Sequence, residues 1–199
     1  MIDAAHGLLL EKGYASTTIG EIAARAGVSV ETVYKRFGSK AGLTKQVYDT
    51  VLVGDDEPVP LRARPEIQAI IAEPDPRRKV ARYAALTRRL GERLGPLLAV
   101  LLGSLGADLD EFARTIDQER LAGSGAFVAH LAESGDLRRG VDPDRARDVP
   151  WALISPELYL LLVVKRGWPL DNYEGWLVEA ISDALLSPGG DAGAGVAAG

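Results

Sequence analysis

Ser29, Glu31, Thr32, Tyr34, Lys35, Arg36 and Lys40 place seven hydrogen-bonding side chains within "SVETVYKRFGSK". At about 100° per residue, Val33 and Phe37 of a helix would point together to one side. Glu31, Thr32 and Lys35 would then project the opposite way, flanked by Tyr34 and Arg36. Hydroxyl, ammonium and guanidinium groups gathered on one exposed face suit contacts to base edges and phosphates in a DNA groove. An idle surface helix is the other reading, though such a helix more often carries Glu and Lys paired four residues apart. Lys40 adds a second signal, because a cation in the first turn of its own helix opposes the helix dipole. A DNA phosphate at that N-terminus would interact with both the free amide N–H groups and the ammonium. A solvated lysine is the alternative.

The elements that must position these side chains are helices, and the expected fold is all-α with about nine or ten of them. A first helix runs from Ile2 to about Lys12 and stops at Gly13. In "TTIGEIAARAG", Ile19, Ile22, Ala23 and Ala26 fall at i, i+3, i+4 and i+7, with Thr17 or Thr18 as N-cap and Gly27 as stop. Ser29 caps a third helix through Phe37, and Ser39 a fourth to about Leu52. Two short helices joined by the tight turn "AGVS" form a helix-turn-helix, which lays its second helix in the major groove. The proline-bearing "GDDEPVPLRARP" separates this module, residues 1–50, from a second region over 51–187. The glycine- and alanine-rich 188–199 reads as a disordered tail. In the second region Val80, Tyr83, Thr87, Leu90 and Leu94 mark a long amphipathic helix. "PLLAVLLGSL" reads as a separate buried helix, followed by one over Asp108 to Glu133 and a last one from Asp171 to Leu186.

Composition narrows the chemistry. With 199 residues, 47% of them apolar and 26% charged, the chain is globular in character. It has no cysteine, which excludes disulfides, thiolate metal sites and a cysteine nucleophile. Its two histidines, His6 and His130, are far apart, and no Gly-rich phosphate loop occurs, so neither enzyme activity nor a cofactor or metal is expected. No apolar run of membrane-spanning length and no secretory signal appear, which makes the cytoplasm the expected location. A net charge of −5 opposes indiscriminate nucleic-acid binding by the whole molecule. Between Arg25 and Lys45, however, five basic side chains stand against Glu31 alone, a local basic patch.

"TTIGEIAARAGVSVETVYKRFGSKAGL" closely resembles the DNA-binding signature of TetR-family transcriptional regulators. The resemblance covers residues 2 to about 50, and "WALISPELYLLLVVKRGWPLDNYEGWL" looks like the C-terminal segment of one subgroup. It implies that Thr18, with Thr17 beside it, holds a phosphate at the start of the second helix. Thr32, Lys35 and Arg36 would approach bases or the adjoining backbone, and Tyr34 and Lys40 would meet phosphates. Plainer roles stay open: Thr18 and Ser29 as caps, Tyr34 as packing, Arg36 as partner of an acid. Two departures stand out. Glu31 replaces a frequent glycine, where it would accept from a cytosine amino group or weaken binding. The chain also starts almost at its first helix, without the short basic arm usual in relatives, so phosphate contacts from such an arm are expected to be missing.

The resemblance further implies a homodimer made through the last two helices, a palindromic operator and a small-molecule effector held among the middle helices. Repression is expected because it predominates in that family. Leu158, Leu161, Leu162, Trp176, Leu177, Ile181 and Leu185 form the candidate dimer surface, with intrachain core as their other role. Tyr83, Phe112, Phe127 and Trp151 are candidate pocket residues, again with core as the alternative. Gly123 and Gly125 suggest close packing or room for a ligand. A rival function is a helical binding module that uses the basic face of residues 77–93, including Arg77, Arg78, Lys79, Arg82, Arg88, Arg89 and Arg93, on an anionic membrane or acidic partner. A solvated face paired with acids elsewhere would leave that rival without a surface.

Overall fold

The computed structural model describes residues 1–54, 61–104 and 107–187. The expected disordered tail at 188–199, and much of the proline-bearing connection, lie outside them. The described chain is all-α, and its one extended pairing is an isolated bridge between Leu137 and Leu186.

Helix α1 (Ile2–Ser16) buries Ala5, Leu8 and Leu9, and α2 (Ile19–Ala26) buries Ile19, Ile22 and Ala23. At Gly13, φ of +79° breaks the regular turns of α1, but one further turn follows, so the expected stop is a kink. Helix α3 (Val30–Phe37) inserts Val33 into the core, and α4 (Lys40–Val53) inserts Leu43, Val47 and Tyr48. Gly27, at φ +67°, supplies the left-handed residue that turns α2 into α3. A short helix α5 (Pro65–Ala72), with proline at its start, adds to the expected set.

Helix α6 (Pro76–Leu102) corrects the expectation of two helices, because it continues through Pro96. Proline removes the hydrogen bond to the carbonyl four residues back, here Glu92. Both Glu92 and Pro96 are exposed, so water can serve that carbonyl, and Gly95 has no Cβ to clash with the ring. Helix α7 (Ala107–Glu133) runs beside it. The short segments α8 (Pro143–Ala146), α9 (Asp148–Leu153) and α10 (Pro156–Tyr159) follow, then a π-helical turn at Leu160–Lys165 and α11 (Leu170–Leu185). Arg138 closes α11, with Nε donating to the Leu186 carbonyl at 3.1 Å and a terminal nitrogen to that of Asp183. A cation on the last carbonyls complements the negative end of the helix.

One core joins Leu9, Ile22, Val33 and Val47 to Leu97 and Leu101 of α6 and to Phe112 and Ile116 of α7. The N-terminal helices therefore share their interior with the second region. A second core holds Val80, Tyr83, Phe127, Leu131, Ile181 and Leu185, and a third holds Ala84, Tyr159, Tyr173 and Leu177. This corrects three of the candidate dimer residues. Leu177, Ile181 and Leu185 are fully buried against their own chain, on the face that α11 turns to α6. Leu161 remains exposed, Leu158, Leu162 and Trp176 are half-buried, and Val164, which the sequence did not single out, is 58% exposed.

The basic face of residues 77–93 is also corrected. Lys79 is 2% exposed, Arg82 bonds Glu73 at 2.9 Å, and Arg88 bonds Glu174 at 2.7 Å. Arg93 donates to the Val53 carbonyl at 3.4 Å. Seventeen residues of helix turn several times around the axis, so these cations meet several surfaces and much of the charge is used within the chain.

Gly91 and Gly95 make room on α6 for the Tyr159 ring. A Cβ at Gly91 would lie 2.5 Å from that ring, and one at Gly95 2.9 Å. The ring is held edge-on to Tyr173, with centroids 5.5 Å apart, so it has little freedom to retreat. Gly91→Val is expected to cost about 2 kcal/mol of stability through overpacking. A thermal melt should show a Tm lower by about 4–8 °C; an unchanged Tm would mean that the ring moves freely.

Candidate nucleic-acid interface

Local caps fix the geometry of α2 and α3. Thr18 Oγ1 accepts from the Glu21 N–H at 3.2 Å, while Glu21 accepts from the Thr18 N–H at 3.0 Å, a reciprocal capping box. Ser29 Oγ accepts from the Thr32 N–H at 3.1 Å and lies 2.9 Å from the Thr32 hydroxyl. Across the module, both terminal nitrogens of Arg25 bond the two oxygens of Glu11 at 2.7 Å, and Lys12 bonds Glu21. These pairs tie α1 to α2, which in turn carries the turn into α3.

With Val33 buried and Phe37 half-buried, α3 presents Glu31, Thr32, Tyr34, Lys35 and Arg36 to solvent. Tyr34 is 50% exposed, and Arg36 lies over the Phe37 ring at 5.4 Å. The arrangement has the chemistry to meet phosphates through cations and base edges through hydroxyl, guanidinium and carboxylate groups.

Two of the expected contacts look different in place. Thr17 is 1% exposed, and its hydroxyl is shared between the carbonyls of Gly13, at 2.7 Å, and Leu8, at 3.1 Å. It closes the α1 kink, and a phosphate cannot reach it. Lys40 is half-buried and donates to the Tyr14 carbonyl, with its ammonium 4.1 Å from the centroid of the Tyr14 ring. The compensation its dipole position demands thus comes from within the chain, by a carbonyl and a π face. Sequence gave no sign of this contact, since Tyr14 is distant along the chain and follows a kink.

Helix α4 joins this surface to the second half. Lys45 bonds Asp49 at 2.6 Å and Glu119 of α7 at 3.0 Å. Burial works against its charge, but the two carboxylates outweigh that and raise its pKa. Tyr48 meets Phe112 of α7 edge-on, with centroids 5.7 Å apart and planes at 88°. Phe112 also lines a cavity of about 90 Å³ at the junction of α6, α7 and α10.

The other candidate pocket residues do not line that cavity. Tyr83 and Phe127 stack on each other at 4.2 Å within the second core, and Tyr83 Oη lies 3.4 Å from Ser124 Oγ. Trp151 donates to the Asp117 carbonyl at 3.3 Å and receives Arg120 on its ring and carbonyl. Aromatic type marked these residues, but it does not distinguish core from cavity wall. Gly123 and Gly125 are not sites of close packing, since an added Cβ would meet nothing within 4 Å at the first and only Arg147 Cδ at 4.0 Å at the second.

Two measurements test this geometry. A Cβ at Gly42 would lie 2.2 Å from the Phe37 carbonyl oxygen, a backbone atom at the end of α3. Gly42→Ala is therefore expected to shift α3 against α4 and to cost about 1–3 kcal/mol in a thermal melt; an unchanged melt would contradict the close approach. The hydrogen bond from Lys12, reinforced by those from the Thr18 N–H and hydroxyl, holds Glu21 at a pKa of about 2, below the ordinary 4.5 of a glutamate. Its contribution to the folded state is thus complete above about pH 4.5 and lost as pH falls through about 2. In Lys12→Ala, carboxyl NMR should show the pKa moving back toward 4.5; no movement would place the cause in the cap alone.

Comparison with known proteins follows the same division. The family model for bacterial regulatory proteins, tetR family, matches residues 1–47. The HTH-type transcriptional regulator YdeS of Bacillus subtilis is 31% identical over 166 residues, covering 82% of this chain and 77% of its own. NalD of Pseudomonas aeruginosa, the secondary repressor of the MexAB-OprM multidrug efflux pump, is similar in structure with a TM-score of 0.68 at 24% identity, covering 95% of each chain. FadR of Bacillus subtilis, solved with stearoyl-CoA, gives a TM-score of 0.71 at 19% identity over 92% of this chain and 96% of that one. Shared sequence along most of the chain, the helix-turn-helix and the helical fold agree: the chain belongs to the tetR family of bacterial regulatory proteins.

Proposed function

We propose that this transcriptional regulator is a homodimeric repressor that reads a palindromic operator in the cytoplasm and leaves it when a small molecule binds. The observation that carries the DNA contacts is the face of α3, which exposes Glu31, Thr32, Tyr34, Lys35 and Arg36 while Val33 anchors its back. In this assignment Lys35 and Arg36 meet phosphate or guanine, and Thr32 and Glu31 approach base edges. Tyr34 and the capped starts of α2 and α3, at Thr18 and Ser29, set the module against the backbone. Lys40 acts mainly by holding Tyr14, and with it the α1 to α4 frame. Residues 1–50 read DNA in this division, and the helices from 61 to 187 regulate and dimerise.

A dimer through the surface around Leu158, Leu161, Leu162, Val164 and Trp176 would cover the apolar side chains that the last helices leave exposed or half-buried. An effector in the cavity beside Phe112 would press on Tyr48 and so on α4, whose N-terminus abuts the end of α3. Repression is supported by NalD, whose fold this chain shares and which is the secondary repressor of a multidrug efflux pump. The binding-module alternative is weakened, because Lys79 is buried and Arg82, Arg88 and Arg93 are engaged within the chain, which leaves only Arg77, Arg78 and Arg89 of that basic face.

Selection from a random duplex library with the purified protein tests the proposal. Enrichment of a palindrome with half-site centres about 34 Å, or a multiple, apart is expected. Lys35→Ala should lower affinity for that sequence about ten- to hundredfold through the two protomers and reduce the salt slope. Failure to enrich any sequence at low salt, where phosphate contacts are strongest, would overturn it.

A further inference from the structure

The cavity between α6, α7 and α10 carries a charge pattern that names a ligand class. Leu98, Leu101, Leu109, Phe112 and Ile116 give it apolar walls, and Asp110, Asp117 and Glu157 give it three carboxylates, with no lysine, arginine or histidine among the lining residues. Asp117 is already bonded to Arg120 at 2.8 Å. Asp110 and Glu157 are exposed and have no ion pair or side-chain hydrogen bond among the described residues. Among the described residues other exposed acids, such as Glu31, Glu66 and Glu179, also lack an ion pair, so what sets Asp110 and Glu157 apart is the apolar recess they border. Two uncompensated carboxylates thus stand at an apolar recess.

We infer that this cavity binds an amphipathic cation, a small apolar body ending in an ammonium group. The inference rests on the proposed effector role of the cavity and specifies its ligand. The apolar walls favour transfer of hydrocarbon out of water. A cavity of about 90 Å³ is smaller than the roughly 150 Å³ known to enclose benzene. A one-ring body would therefore be partly enclosed, with its polar end at the mouth, where Asp110 and Glu157 attract a cation. The same carboxylates repel an organic anion, and a neutral molecule gains no net charge attraction from them, at most one hydrogen bond. Phe112 gives the occupant a route to the DNA module, since its ring touches both the cavity and Tyr48.

Benzyltrimethylammonium is the probe, titrated into the full chain at low salt and followed by broadening of its methyl NMR signal. Benzyl alcohol and phenylacetate serve as neutral and anionic counterparts. A one-ring ligand of this size should bind with Kd of about 1 mM, with benzyl alcohol weaker and phenylacetate weakest. The paired substitution Asp110→Asn with Glu157→Gln should weaken the cation about tenfold, and Ala113→Phe, which fills the recess, should abolish binding. Circular dichroism checks that both variants fold. Equal or tighter binding of the neutral or anionic compound, no binding of the cation, or an unchanged affinity in the paired variant would overturn the inference. Affinity for the selected operator is measured on the same proteins without ligand. Intact DNA binding with no cation binding would reject the ligand class alone, whereas absent DNA binding would reject the regulator reading and leave the cavity measurement to stand separately.

Discussion

Helix α6 is the constraint on which the rest of the molecule depends. At 1.5 Å per residue its 27 residues extend about 40 Å, and it packs against α1, α4, α5, α10 and α11. Its second half, with Leu97 and Leu101, closes the core beneath α1 and α4. Its first half, with Val80 and Tyr83, supports α11. A fifty-residue helical module is near the size at which a single core becomes marginal. Borrowing apolar surface from α6 and α7 therefore stabilises the helix-turn-helix, and it makes its placement depend on the second region.

In the proposed function, that dependence would make α4 the link between ligand and DNA. Packed interiors respond to a new occupant by changing between discrete arrangements, since their density leaves little room for continuous deformation. Phe112 belongs to the shared core and to the cavity wall, and Lys45 bonds both its own helix and α7. A ligand that favoured one position of Phe112 would, in the proposed function, favour one position of Tyr48 and of α4. The strength of such a link is bounded by the ligand's difference in affinity for the two arrangements.

The N-terminal fifty residues were the most legible part of the sequence. Their helices are short and capped by residues adjacent in sequence, as Thr18 with Glu21 and Ser29 with Thr32 illustrate, so local chemistry decides their bounds. What escaped was tertiary. Nothing local shows that Thr17 turns inward to the Gly13 carbonyl or that Lys40 reaches Tyr14. Periodicity found the apolar face of α11, yet it could not say whether Leu177, Ile181 and Leu185 meet their own chain or another copy. Pro96 misled for a related reason: whether proline ends a helix depends on whether water can reach the carbonyl it leaves free. The cavity was the least legible feature, because its wall is assembled from three segments and, apart from Phe112, its leucines and carboxylates are residue types common on any helix.

The charges of the N-terminal module also bear on why a regulator of this kind should act as a dimer. Of the five basic residues between Arg25 and Lys45, Arg25 is held by Glu11, Lys45 by Asp49 and Glu119, and Lys40 by Tyr14. Lys35 and Arg36 are the pair on the exposed face of α3. Each neutralised phosphate contributes to affinity through released counterions, so one protomer with so few outward cations would hold DNA weakly, and a net charge of −5 adds repulsion elsewhere. Joining two modules makes the second encounter intramolecular and multiplies the affinities. The same arithmetic makes the complex sensitive to spacing: if an effector moves one α4 relative to the other, both half-sites can no longer be met together, and most of the gained affinity disappears without any change in the contacts that each α3 could make alone.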